Sequence, residues 1–392
     1  MKILLITEIY PSPKHGTKDE TIICHYFAKE WTKLGHEVKV VRFNPLLPLY
    51  YTLVAKLLKP FFKKKNWSVN FLNSYRKQES YIYEGIPVIY IPLFRKGRGK
   101  PLSEAEYERA FVIAQKKLEG YEPNIIVGHW GSMSPLLIRY KQLFPNAKTG
   151  VVLHEKLQGA LYGKYLGKID VWGFRNKAIK ESFEKYHGRN YSGFICSSGI
   201  PKEYIQTVPK TFSAGIRRFA FVGKLLELKR VENTIQALNN VFGEEEYHFD
   251  VVGDGVCMNS LKDTVAKLNM ESKVTFHGWL SRDKAQQIVE TSDCFIMVSD
   301  HEAFGLVYVE AMAKGCITIG TKGQGADGII EDGKNGFLCP PKDLASLILV
   351  IKRIKDMSKA ELSNMSEKAI QTAATLTDEV VAQQYLDSIA KS

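Results

Sequence analysis

A chain of 392 residues is longer than one ordinary core accommodates and suits two domains of similar size. A hydrophobic fraction of 45% is enough for substantial cores and excludes a disordered or low-complexity polypeptide. The formal charge of +12 points to an anionic partner: a membrane surface, nucleic acid or a phosphate-bearing substrate.

Met1-Lys2-Ile3-Leu4-Leu5-Ile6 opens the chain. The apolar run stops at Thr7-Glu8 without a small-residue cleavage site, so a buried first strand is expected rather than a signal peptide. Short apolar runs then alternate with longer amphipathic stretches, the pattern of parallel α/β layers. In the first half, strands are expected at Lys2–Thr7, Glu37–Phe43, Val88–Ile91, Asn124–His129, Thr149–His154 and Ser192–Cys196. Helical patterns fill the gaps, as at Thr21–Leu34 and Glu104–Leu118.

The scheme restarts in the second half, with strands at Arg218–Gly223, His248–Gly253, Lys273–Gly278, Cys294–Val298 and Cys316–Gly320. Helices are expected between them and then at Asp343–Ile354, Lys359–Thr372 and Asp378–Ala390. The junction is placed near Val208-Pro209-Lys210. This gives an N-terminal domain 1–208, a C-terminal domain 209–375 and a last helix in 376–392 that crosses back. Ligands of such sheets bind at the carboxyl ends of strands, and two facing domains are expected to bind theirs in a cleft.

One segment breaks the alternation. Residues Asn44 to Trp67 carry five lysines and no acid, with Tyr50, Leu53, Val54, Leu57, Leu58 and Phe61 at helical spacing. Pro48, Lys56, Lys59 and Pro60 interrupt it and argue against a spanning helix. Two readings stand side by side: an interfacial helix on an anionic membrane, and a core helix with solvated lysines. The run Arg95-Lys96-Gly97-Arg98-Gly99-Lys100 makes the same domain more positive. Aromatics are not interleaved with these basic runs as an RNA-stacking surface requires, so nucleic acid is not expected. The cysteines, Cys24, Cys196, Cys257, Cys294, Cys316 and Cys339, form no CxxC pair. Neither a zinc site nor a disulfide framework is indicated, and a reducing cytoplasm is the simplest setting.

The chemistry concentrates in Ser299–Ala313, which follows an apolar strand and opens an amphipathic helix. Gly305 permits close backbone approach, and the first-turn N–H groups around Phe304, Gly305 and Leu306 can receive a phosphate. Glu302 and Glu310 can accept hydrogen bonds from sugar hydroxyls on either side of it. Two solvated glutamates on a strand–loop–helix would look the same. That bland reading weakens beside Phe221-Val222-Gly223-Lys224-Leu225-Leu226-Glu227-Leu228-Lys229, where a strand ends at Gly223 and two lysines follow. Lys224 and Lys229 can neutralise a diphosphate without a metal; ordinary surface lysines are the alternative. Val252-Gly253-Asp254-Gly255 is not GxGxxG and supports no dinucleotide site. It is a tight turn, or it brings the Gly253 backbone near a nucleotide.

Here the sequence resembles the retaining GT-B glycosyltransferases of glycosyltransferase family 4. The resemblance rests on Glu302 and Glu310 within EAFGLVYVEAMAKG, on the basic pair after Gly223, on Glu331–Leu338 with Pro340-Pro341, and on Gly35-His36-Glu37-Val38. It implies the GT-B fold, two doubly wound Rossmann-like domains facing across a cleft. It also implies transfer with retention from a nucleotide-diphosphate sugar, without metal or other cofactor, to a saccharide or lipid-linked saccharide. Lys229 matches the family's phosphate lysine, and Lys224 stands where an arginine is usual. Glu302 would touch the transferred sugar, Glu310 the ribose. His154 resembles the active-site histidine, and His129 is a candidate on the acceptor side. Gly16, in the glycine-bearing first loop near the acceptor, is counted with the donor-binding positions. Competing readings are a nucleotide-sugar epimerase, a phosphorylase, or a non-catalytic basic membrane-binding module. A cytoplasmic protein, peripheral on the inner face of the cell membrane, is the expected setting.

Overall fold

The computed structural model describes residues 1–14, 22–57, 75–97 and 101–391. They fall into two compact α/β units. The first comprises Met1–Arg175, Ile179–Cys196 and Ala382–Ser392; the second comprises Asn176–Ala178 and Ser197–Val381.

The first unit holds an eight-stranded sheet: β1 (Lys2–Thr7), β2 (Glu37–Leu46), β3 (Glu79–Tyr83), β4 (Ile86–Phe94), β5 (Ile125–His129), β6 (Lys148–Leu153), β7 (Val171–Phe174) and β8 (Gly193–Ile195). Their order is β3-β4-β2-β1-β5-β6-β7-β8, and every pairing is parallel except β3 with β4. The central strands are apolar along their length because helices cover parallel sheets on both faces; Ile3, Leu4, Leu5 and Ile6 are fully buried. Register aligns Thr7 with His129 and His129 with Val152, so the residues just beyond these strands emerge along one edge. The C-terminal part of the helix Asp378–Ala390 belongs to this unit. The Trp31 indole donates to the Ala382 carbonyl at 3.0 Å, and Ile389 packs so closely on Gly150 that a Cβ there would lie 2.5 Å from it.

The second unit holds a parallel six-stranded sheet: β9 (Arg218–Val222), β10 (His248–Val252), β11 (Val274–Gly278), β12 (Cys294–Ile296), β13 (Ile317–Thr321) and β14 (Phe337–Cys339), in the order β11-β10-β9-β12-β13-β14. The division falls at Cys196/Ser197, ahead of the expected junction near Val208. Residues 200–206 are tied into the second unit by Ile200 N–H to the Leu376 carbonyl and Gln206 N–H to the Ala313 carbonyl.

Among the expected helices, Glu104–Lys117, Leu344–Asp356, Lys359–Ala374 and Asp378–Ala390 lie within two residues of their sequence bounds. The helix Leu49–Leu57 begins in the basic segment. Its Leu49, Tyr50, Leu53 and Val54 are more than half exposed, so this stretch is not a core helix; residues 58–67 lie outside the described residues. Among the described residues no helix is long and apolar enough to cross a membrane.

Candidate functional site

In the second unit the ends of β9 and β10 come together first. Val222 pairs with Val252, and Gly223 N–H donates to the Val252 carbonyl at 3.0 Å. Gly253 has φ +136, and a Cβ there would lie 1.8 Å from the Gly223 carbonyl oxygen. Packing of one strand-end loop on the other is therefore enough to require glycine at 253. Lys224 is exposed at the start of the β9 loop, and a short 3-10 turn, Glu227–Lys229, follows. That turn carries Lys229 to Glu302: Nζ and Oε2 are 2.6 Å apart, with both side chains largely sheltered. The Met297 sulfur lies 3.9 Å from the same ammonium.

The Glu302 loop is held along its backbone. Glu302 N–H donates to Gln324 Oε1 at 3.3 Å, its carbonyl accepts from Gly325 N–H at 2.9 Å, and the Asn176 amide donates to the Ala303 carbonyl at 2.7 Å. Gly305 then caps the helix Leu306–Ala313 in the left-handed region, φ 75 and ψ 62. A Cβ at 305 would lie 2.3 Å from the Tyr308 ring, so only glycine fits. Phe304 is buried and Leu306 half-buried. The first N–H groups of this helix have no helical carbonyl to reach, and with the helix dipole they suit an anion.

One turn on, Glu310 is buried and already engaged. Arg282 donates to Oε1 through Nε at 2.9 Å and Nη2 at 2.5 Å, and Gln286 donates to Oε2 at 2.7 Å. Three bonds to a carboxylate of about four acceptor positions leave it oriented with little spare capacity.

In the first unit, His129 ends β5 and His154 follows β6. His129 Nδ1 and His154 Nε2 are 3.1 Å apart, and the Tyr385 hydroxyl is 3.3 Å from His129 Nε2. Burial pushes His129 down to about 3, and it lowers His154 well below the ordinary histidine range; the Arg175 cation works in the same direction. Trp130 stacks on His154 with ring centroids 4.2 Å apart and planes 11° from parallel, and it does so at φ 70. Tryptophan at positive φ is a strained arrangement held by its surroundings.

Beside this edge the Ser132 hydroxyl donates to Glu8, and the Tyr107 hydroxyl donates to the Ser132 carbonyl at 3.2 Å. Burial raises the Glu8 carboxyl above its ordinary range, with Glu155 adding to the rise, while the Ser132 bond and the Arg95 charge oppose it.

Comparison with known proteins finds a similarity within the second unit. Residues 209–373 match the family model for glycosyl transferases group 1. A similar protein is an N-acetyl-alpha-D-glucosaminyl L-malate synthase of Bacillus anthracis, 30% identical over 166 residues; the match spans 42% of this chain and 42% of that enzyme's length. Among solved structures, a lipopolysaccharide outer core galactosyltransferase superposes with TM-score 0.72 at 17% identity, covering 100% of this chain and 99% of its own. An Anabaena protein in complex with UDP and glucose superposes with TM-score 0.65 at 17% identity, covering 100% of both chains. The fold is the GT-B fold of such glycosyltransferases, with two α/β domains.

Within residues 209–373 the structure joins Lys229 to Glu302 and sets Gly305 and Glu310 on the adjoining helix. Lys224 shares the Lys229 loop, and Gly223 and Gly253 meet each other. His129 and His154 are joined in the other unit, and Gly16 lies outside the described residues. Sequence reading missed Arg282 and Gln286 on Glu310, Gln324 and Gly325 behind Glu302, and Glu8, Ser132, Trp130 and Tyr385 around the histidines. Among the described residues no group of three or more His, Cys, Asp or Glu is placed to hold a metal ion.

Proposed function

We propose that this chain is a retaining, metal-independent glycosyltransferase that uses a nucleotide-diphosphate sugar. The observation that carries the reading is the Lys229–Glu302 pair, 2.6 Å apart, next to the left-handed Gly305 and the helix it caps, within the segment that matches the group 1 family model. A phosphate-binding cation and a hydroxyl-binding carboxylate thus lie side by side before a helix N-terminus. On this reading the diphosphate replaces Glu302 as the partner of Lys229 and sits on the first-turn N–H groups of Leu306–Ala313. Glu302 is then released to the hydroxyls of the transferred sugar. Glu310, oriented by Arg282 and Gln286, offers its remaining acceptor capacity to the ribose.

The bond from the anomeric carbon to the diphosphate oxygen breaks as the acceptor oxygen bonds on the same face. The acceptor proton passes to the departing phosphate oxygen, and Lys229 offsets the charge that develops there. Uridine diphosphate is the first nucleotide to test, because an Anabaena protein of the same fold was solved with UDP and glucose. The acceptor is a saccharide, free or lipid-linked. The exposed apolar face of Leu49–Leu57, in a chain of net charge +12, supports a lipid-linked acceptor met at an anionic membrane.

The test is incubation with radiolabelled UDP-sugars, with product separation and calorimetry for UDP. Nucleotide diphosphate and a glycosylated acceptor, in equal amounts and unaffected by EDTA, are expected. Release of sugar phosphate identifies a phosphorylase, an interconverted donor identifies an epimerase, and vesicle binding without turnover or UDP affinity identifies a basic membrane module; each overturns the reading.

A further inference from the structure

Arg230 follows Lys229 and caps the helix Val231–Phe242 with φ 51 and ψ 35. Crowding at Cβ disfavours that left-handed conformation for residues other than glycine, so an arginine there is held by its surroundings. Asp300, at the end of the β12 side of the site, supplies the hold. Arg230 Nε and Nη2 both donate to Asp300 Oδ2, at 2.9 and 2.5 Å, and both residues are half-buried. Glu227 lies 3.8 Å from Arg230 Nη1 but is exposed, which makes it a weaker anchor. Lys342 Nζ brings a second cation to 3.6 Å from the same aspartate oxygen.

Asp300 also meets the β9 loop through its backbone, where its N–H donates to the Leu228 carbonyl at 2.7 Å. Leu228 and Arg230 are the two chain neighbours of Lys229, so both flanks of the lysine are fastened to one residue. That residue stands just before Glu302, the carboxylate that Lys229 meets. A glycine at 230 would take the same φ without strain, but it would offer no side chain to this junction. The strained arginine thus lies beside the charged pair and is bound to the loop that carries the pair's other half.

We propose that Arg230 and Asp300 are positioning residues, whose contact fixes the backbone of Lys229 and so holds its ammonium ready for a diphosphate. The proposal deepens the glycosyltransferase reading and rests on it for the diphosphate. When the diphosphate takes the place of Glu302 at Lys229, the Arg230–Asp300 contact stays closed. The cation then needs no reorganisation as its partner changes.

The test compares the full-length wild type with Arg230→Gly, which suits the left-handed backbone and removes the side chain. Ligand-free crystal structures give the position of Lys229, calorimetry gives affinity for uridine diphosphate, and circular dichroism reports folding. In Arg230→Gly the Lys229–Glu302 contact is expected to open in a folded protein. Affinity for uridine diphosphate should fall by about tenfold or more, the loss of one charge-assisted bond. A Lys229–Glu302 contact kept at its wild-type distance overturns the proposal, as does unchanged affinity. If Arg230→Gly does not fold, Asp300→Ala decides by the same readouts. A wild type that does not bind uridine diphosphate counts against the transferase reading, and the ligand-free structures still decide whether Arg230 positions Lys229. Wild-type binding with an unmoved Lys229 in the variant counts against this proposal alone.

Discussion

Lys229 and Glu302 form an ion pair with 15% and 18% of their side chains exposed, a setting in which the cost of desolvating both charges offsets much of their attraction. Loss of a preorganised cation facing a developing negative charge weighs more, about 10²–10³ in turnover. Lys229→Ala should therefore lower kcat by roughly that factor while moving the thermal midpoint by only a few degrees; a collapse of folded protein in circular dichroism would make the lysine structural. Gly305 behaves the other way. Alanine at φ 75 is strained, and its Cβ would lie 2.3 Å from the Tyr308 ring, whose hydroxyl is fixed to the Met297 carbonyl at 2.6 Å. The backbone strain alone costs about 1–3 kcal/mol. Gly305→Ala should lower the unfolding free energy measured in urea by at least that much, together with nucleotide affinity.

Two helices raise questions larger than their single residues. Glu310 fastens the helix Leu306–Ala313 to the helix Arg282–Thr291 through Arg282 and Gln286. With the Glu310 side chain 9% exposed, removal of Arg282 leaves a buried carboxylate short of two charge-assisted bonds. Arg282→Ala should cost about 1.5–3 kcal/mol in denaturant unfolding, and Arg282→Lys should recover part of it. An unchanged midpoint would mean that water replaces the guanidinium freely. The helix Leu49–Leu57 turns Leu49, Tyr50, Leu53 and Val54 to solvent at 51–60% exposure, a small apolar face beside lysine-rich sequence. The wild type should float with anionic vesicles at low salt and be released as salt rises. Leu49→Ser with Leu53→Ser should reduce flotation and leave uridine diphosphate binding unchanged. Absence of wild-type flotation would favour a soluble acceptor.

The whole molecule should be acid-sensitive through its buried histidines. Burial holds His25, His129 and His154 below the ordinary value of 6.5, His129 at about 3, while the unfolded chain titrates normally. Below pH 6.5 the unfolded state binds more protons than the folded state, so stability is full above that pH and falls as pH drops. For His129 the slope approaches about 1.4 kcal/mol per pH unit, about 2 kcal/mol between pH 6.5 and 5, and His154 and His25 act in the same direction. Urea midpoints measured from pH 7.5 to 5 should fall accordingly, with a shallower slope in His129→Gln. A flat profile over that range would show that these rings are protonated in the folded protein.

Much of this architecture was legible along the chain because it is local. Parallel strands buried on both faces are written as apolar runs such as Ile3–Ile6, and helices as amphipathic periods such as Lys359–Ala374. Three of the described strands were not legible. Val171–Phe174 and Phe337–Cys339 span four and three residues, and Glu79–Tyr83 is the antiparallel edge of its sheet, half exposed and alternating. The Ser299–Ala313 motif marked Glu302, Gly305 and Glu310 because a strand, a glycine and a helix must follow in that order there. Their partners are long-range. Lys229 reaches Glu302 across 73 positions, Arg282 reaches Glu310 across 28, and Tyr385 reaches His129 across 256. Sequence proposed which residue types carry chemistry, since charge and hydrogen-bonding capacity belong to the residue itself. Only tertiary packing decided which atoms meet and which carboxylate is already engaged, because those properties belong to neighbours that the chain brings from elsewhere.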